Sequence, residues 1–164
     1  RGAGASGRRG CAVDSYLLLK SLHVLGAVIF LGNILVTALW KVLADRTQNP
    51  AIVAYAQRLV TVSDFAFTAL GVGLIIATGE LMAGRWEGAS WVGWGRGLFV
   101  ASGVIWLVAL VPIQVAQACM ARAFARQASI PVAYWRLVNG WGVFGVIATA
   151  LPLLNLYFMV FKPA

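Results

Sequence analysis

The sequence predicts an all-α membrane protein, an up-down-up-down bundle of four transmembrane helices, and three observations predict it. First, 61% of the 164 residues are hydrophobic and 11% are charged, whereas a soluble domain averages about 45–50% apolar and about 25% charged residues. A soluble fold of this length has too little interior to hide so much apolar surface. Second, four apolar runs, at about 16–43, 62–83, 95–120 and 137–161, each come near or exceed the roughly 20 residues needed to cross a ~30 Å hydrocarbon core. Third, no run shows the strict alternation of a barrel strand. Backbone polar groups cannot stay unpaired in lipid, so runs of this length are helices.

With their flanks the helices are expected at about 15–44, 51–83, 95–120 and 135–162, forming one domain over residues 15–164. The first helix is too long, and carries too many polar residues (Lys20, His23, Asn33, Thr37), for a cleavable signal peptide. Residues 1–14 have no apolar periodicity. They read either as a disordered tail or as sequence upstream of a true start near Val13. Pro50, after Asn49, suits the first turn of the second helix, and Ile52–Leu59 extends that helix beyond the membrane. Pro112 and Pro152 lie inside the third and fourth helices. Each frees a carbonyl four residues earlier, on Val108 and Ala148, and bends its helix.

The formal net charge of +8 would point to a polyanion in a soluble protein. Here the basic residues sit in the tail and between apolar runs, where they meet anionic headgroups and fix orientation, so membrane lipids rather than nucleic acid are the expected partner. Lys41, Arg46, Arg58, Arg122, Arg126 and Arg136 flank the first and third loops. Lys20, Arg85, Arg96 and Lys162 flank the other side, which puts both termini outside unless Arg1, Arg8 and Arg9 count. Trp86, Trp91 and Trp94 on one side, and Trp40, Trp135 and Trp141 on the other, form interfacial belts. Gly71, Gly73, Gly142 and Gly145 are expected where helices approach closely. Cys11 and Cys119 make no disulfide framework.

Polar residues immersed in lipid cost energy, so each is a candidate for function. At ~1.5 Å rise per residue, His23 lies roughly 10 Å below the outer surface, level with Thr78, Ser102 and Asn155, with Glu80 and Arg96 just above. A second layer toward the other face holds Thr37, Lys41, Asp64, Gln114 and Gln117. Lys41 and Asp64 are expected to form a structural ion pair across the first hairpin, with a proton relay as the alternative. His23 is the single histidine. It reads either as a buried hydrogen-bonding residue or as a metal or haem ligand. One histidine excludes bis-histidine ligation within the chain and disfavours zinc or copper sites. The sequence has no P-loop, dinucleotide fingerprint, HExxH or serine-nucleophile motif, so whether it is an enzyme stays open.

The stretches YLLLKSLHVLGAVIFLGN, TALWKVLADRT, AQRLV and YWRLVNGWGVFGVIATALPLLNLYFMVFKP resemble an uncharacterised bacterial family of integral membrane proteins. It is catalogued as domain-of-unknown-function family twenty-two sixty-nine, and the match runs from about Tyr16 to Pro163. The resemblance implies four helices and a multi-pass protein of the bacterial inner membrane. The opening helix is also similar, more distantly, to that of the four-helix haem-binding protoporphyrinogen oxidases, whose first helix carries a Lys-x-x-His pattern. Lys20 and His23 match that pattern, which implies that His23 ligates haem b. Where that family has a lysine at the start of helix three, this chain has Arg96, which stays protonated and cannot ligate iron. That departure bears on oxidase activity and leaves haem binding open.

Three functions follow as expectations. In the first, the chain binds haem b in a redox role, with His23 as metal ligand, Ser102 and Asn155 shaping the pocket and Arg96 meeting a propionate. In the second, it is a non-enzymatic scaffold, acting as a homo-oligomer or as an accessory subunit of a larger membrane complex. In the third, it is a transporter or channel subunit built on Asp64, Glu80 and Lys41.

Overall fold

In the computed structural model residues 3–163 are described, those before Ser15 by their backbone alone. The tail or alternative start expected over residues 1–14 therefore lies outside the fully described part. Four long helices make up the chain: α1 (Ala3–Arg46), α2 (Pro50–Trp86), α3 (Ser90–Phe124) and α4 (Val132–Phe161). Each is long and apolar enough to cross a membrane, and the described residues include no strand.

Local chemistry sets the helix ends. The Asn49 side chain accepts hydrogen bonds from the N–H groups of Ala51 (3.0 Å) and Ile52 (3.4 Å), and Pro50 occupies the first turn of α2, where its missing N–H costs nothing. Gly88, at φ +82°, takes a left-handed conformation that a side chain would disfavour. This tight reversal lets α3 begin at Ser90 rather than near residue 95. Lys162, with φ 47°, closes α4, and its N–H donates to the Phe158 carbonyl at 3.0 Å.

Two helices contain a wide π turn, Asp64–Thr68 in α2 and Trp106–Leu110 in α3. The second spans Val108, whose carbonyl Pro112 frees, and ends just before that proline. The first lies in a segment with no proline. It keeps Asp64 and Thr68, four residues apart, both on the buried face of α2.

The helices pair as α1 with α2 and α3 with α4 along the terminal side of the bundle. The two pairs meet closely toward the other end, the side of the α1–α2 and α3–α4 loops, where the start of α2 lies against the end of α3. Between the pairs, the rings of Phe30 and Phe99 meet at 6.0 Å and those of Phe65 and Trp106 at 6.1 Å. On the terminal side Lys162 sits over Trp86 and Trp91, at 4.3 and 5.3 Å, and Arg85 over Tyr16 at 4.3 Å. These cation–ring contacts join both ends of the membrane domain to the α2–α3 loop at one interface.

Glycines decide the crossings, though only partly the expected ones. A Cβ on Gly71 would stand 2.8 Å from Phe30 Cβ, and one on Gly26 would stand 2.8 Å from Leu74 Cβ, so α1 and α2 touch backbone to backbone here. Gly95 likewise admits Asn155 and Met159 of α4. By contrast, nothing lies within 4 Å of where a Cβ would stand on Gly73, Gly142 or Gly145. Those three face outward instead of marking close contacts.

Candidate functional site

Apolar side chains mostly point to the lipid, and the buried set is half polar. The polar groups fall into the two expected layers, differently connected than sequence alone implies.

On the terminal side, His23 Nδ1 lies 3.0 Å from Thr78 Oγ1 in the seam between α1 and α2. The Thr78 hydroxyl donates its proton to the Leu74 carbonyl, so the contact to His23 is Nδ1–H donating to Thr78. In the neutral imidazole this leaves the lone pair on Nε2. Gly79 provides the space beside the ring, since a Cβ there would stand 3.2 Å from His23 Cε1. Ser102 and Asn155 lie in the other seam, between α3 and α4. Ser102 Oγ donates to the Ala148 carbonyl at 2.7 Å, the acceptor that Pro152 strips of its helical partner. Asn155 Oδ1 is buried against Gly95 without a hydrogen-bond partner. Arg96 forms a two-pronged ion pair with Glu80 across the α2–α3 hairpin, with both side chains more than half exposed. The pair lines an open cavity of about 650 Å³ together with Trp86, Glu87 and Gly93. The four residues expected around one cofactor thus lie in the same half of the bundle but occupy two seams and the surface. Arg96 already has a carboxylate in its fork, which does not fit the propionate role.

Ser102→Ala is expected to cost about 1 kcal/mol, the usual worth of a side-chain hydrogen bond between membrane helices. Unfolding of α3–α4 contacts on titration with SDS would show it. An unchanged midpoint would mean that Ala148 finds another donor.

Toward the loop side the polar layer is continuous. Asp64 Oδ1 accepts from Asn33 Nδ2 (2.9 Å) and Thr37 Oγ1 (3.3 Å), and Oδ2 accepts from Gln114 Nε2 at 2.6 Å. Ser63 donates to Asn33 Oδ1 at 2.6 Å, and Thr68 lies 3.4 Å from Asn33 Nδ2. Further along, Lys41 Nζ donates to Asp45 Oδ2 (3.1 Å) and to Tyr134 Oη (3.0 Å). The Tyr134 hydroxyl in turn donates to Gln57 Oε1 at 3.3 Å. Val53, Ala121 and Phe124 pack around Tyr134 and form the apolar core beside this network.

The expected Lys41–Asp64 ion pair is corrected by this register. Tyr134 brings Gln57 of α2 to the level of Lys41, while Asp64, two turns further along α2, meets Asn33 and Thr37. Lys41 finds its carboxylate one turn along its own helix, in Asp45. Gln57 and Tyr134 join the buried network, although their places in the sequence suggest an extramembrane helix and an interfacial flank. A signal for Gln57 exists in the stripe Val53, Gln57, Val60, Asp64, which repeats on one helical face and is buried throughout. Among the described residues, no group of three or more His, Cys, Asp or Glu side chains could hold a metal ion.

No curated protein and no solved structure matches the chain at a significant level. Residues 17–163 match the family model described as predicted integral membrane protein (DUF2269). That match covers nearly the whole four-helix domain, and the chain belongs to this family of integral membrane proteins.

Proposed function

We propose that the protein binds haem b through His23 and serves a redox role in the bacterial inner membrane. One observation supports this reading: Thr78 holds Nδ1–H of the ring, which leaves Nε2 with the free lone pair, and Gly79 makes room for the ring itself. A ligand histidine characteristically has its second nitrogen tied in this way, which fixes tautomer and ring orientation. Bound haem would supply a one-electron iron couple. The chain's own contribution is to aim the imidazole. Asn155, whose buried Oδ1 lacks a partner, is the polar group available to the same half of the bundle, and Ser102 keeps α3 and α4 together beside it.

The test is the absorption spectrum of the detergent-purified protein, oxidised and then reduced with dithionite, with haem quantified against protein. A Soret band at one haem per chain, lost in His23→Ala, is expected. Thr78→Val is expected to keep the band but weaken haem affinity by about 10–100-fold, as losses of the partner behind a ligand do. A band that survives His23→Ala, or a colourless protein from haem-replete cells, overturns the reading.

A second reading, a scaffold that docks another membrane helix, rests on Gly93 and Gly97. They stand four apart on an exposed face of α3, with nothing within 4 Å of either, the spacing through which membrane helices associate. A homo-oligomer or a larger membrane complex would use this face. Loss of a crosslinked dimer or partner in Gly97→Leu would support it, and a monomer in native membranes would exclude it.

A further inference from the structure

The Asp64 layer contains a mismatch that its own hydrogen bonds do not resolve. Asp64 is 8% exposed, Gln114 1% and Gln117 0%. The carboxylate meets only neutral donors, on Asn33, Thr37 and Gln114, and among the described residues no cation pairs with it. The cation of this layer, Lys41, is committed to Asp45 and Tyr134. Gln114 Oε1 and both polar atoms of the Gln117 side chain are buried without any partner. Gln114 and Gln117 stand three apart on α3, hence on one face. A carboxylate without a counter-charge and buried amide atoms without partners are each costly in a membrane interior. Together they call for a further hydrogen-bonding partner in this layer.

A proton and water resolve all of it. We propose that Asp64 is a protonation site inside the membrane, that the Gln114 amide holds its neutral form, and that water at Gln117 joins it to the loop-side surface. The carboxylate takes a proton from hydronium, which becomes water, and Asp64 becomes a neutral acid. The new O–H on Oδ2 donates to Gln114 Oε1 once that amide turns over, and the short 2.6 Å separation suits such a bond. An amide turns without changing its shape, and its two ends differ only in donor and acceptor character. Gln114 therefore serves both charge states, and the end of its amide that does not meet Asp64 is left for a further partner.

The ionisable groups facing this stack are Lys41 and Asp45 on α1 and Tyr134 on α4. Apart from Asp64, α2 and α3 present only amides and hydroxyls to it (Ser63, Thr68, Gln57, Gln114, Gln117). Tyr134, Gln57, Lys41 and Asp45 are already linked to one another, and Asp45 reaches the surface. Neither polar atom of Gln117 is bonded to this network or to Asp64. This site is independent of haem at His23.

Infrared difference spectra of the full chain in lipid nanodiscs, between alkaline and acid buffer, test it. A protonated-carboxyl band is expected on acidification, shifted in D2O, absent in Asp64→Asn and retained in Glu80→Gln. Should Asp64→Asn not fold, Gln114→Leu identifies the same carboxyl group. The band must move to higher frequency on losing its hydrogen bond, and an unmoved band overturns the assignment. Gln117→Leu is expected to slow deuterium exchange of the band, and exchange at the wild-type rate overturns the water link. A melting temperature that rises with sodium over choline at fixed ionic strength, in wild type and not in Asp64→Asn, overturns the proton and means that a metal cation completes the site.

Discussion

Asp45→Ala is expected to destabilise the bundle by about 3–5 kcal/mol, the cost of removing one partner from a buried ion pair. The reason lies in what is left behind. Lys41 is 1% exposed, and among the described residues its ammonium has Asp45 as its one anionic partner, at 3.1 Å. The Tyr134 hydroxyl accepts at 3.0 Å, and the rings of Tyr134 and Trp141 lie 5.1 and 5.7 Å away. These neutral groups reduce the penalty without cancelling a full charge. The reverse substitution leaves less damage. In Lys41→Met the apolar stem is kept, the buried charge disappears, and Asp45, whose side chain is 12% exposed, can draw water. Lys41→Met with Asp45→Ala should recover most of the loss, since buried pairs replaced together by neutral groups are often neutral or better. A double-mutant cycle read from unfolding in mixed micelles of rising SDS fraction checks this. Equal costs for the two single variants, with no coupling, would show that the pair is solvated and not part of the core.

That ion pair also marks where sequence reading stops. The four helices are legible because lipid forces long apolar runs into helices of known length. The two polar layers are legible because depth follows from counting residues at a fixed rise. Depth alone, however, says nothing about azimuth or about the register between two helices. Residue counting puts Lys41 and Asp64 in one layer, but one helical turn is about 5.4 Å. A slip of two such turns along α2 decides whether Lys41 faces Asp64, or Tyr134 and Gln57. His23, Ser102 and Asn155, with Arg96 just above, share one half of the bundle by residue counting and still divide between two seams and the surface. The π turn at Asp64–Thr68 has no proline to announce it, so the rotation it imposes on the rest of α2 leaves no mark in the sequence. Pro152 is the opposite case. The carbonyl it frees can be named from the sequence, and Ser102 is the donor that answers it.

Gly71 shows the same limit as a measurable effect. Gly71 and Gly73 are equivalent in composition, but two residues along a helix point to nearly opposite sides. A Cβ on Gly71 would stand 2.8 Å from Phe30 Cβ and 2.9 Å from both the Gly26 carbonyl oxygen and the Phe30 nitrogen. These are backbone or backbone-anchored atoms, with no flexible end to swing away, so α1 and α2 must separate. Gly71→Ala is therefore expected to cost about 1–3 kcal/mol, the range for overpacking a close-packed interface, and Gly71→Leu more. Gly73→Ala meets nothing within 4 Å and is expected to stay within about 0.5 kcal/mol of wild type, as outward substitutions do. The crossing lies two turns from Asp64 on one side and two from Thr78 on the other, so a separation there strains both polar layers. The Asn33–Asp64 bond and the His23–Thr78 bond both bridge α1 and α2 and have little slack, at 2.9 and 3.0 Å. Unfolding midpoints of Gly71→Ala and Gly73→Ala in the same SDS titration decide the point. Similar midpoints would mean that α1 and α2 do not cross at Gly26 and Gly71. A deficit confined to Gly71→Ala ties the alignment of both candidate sites to this one crossing.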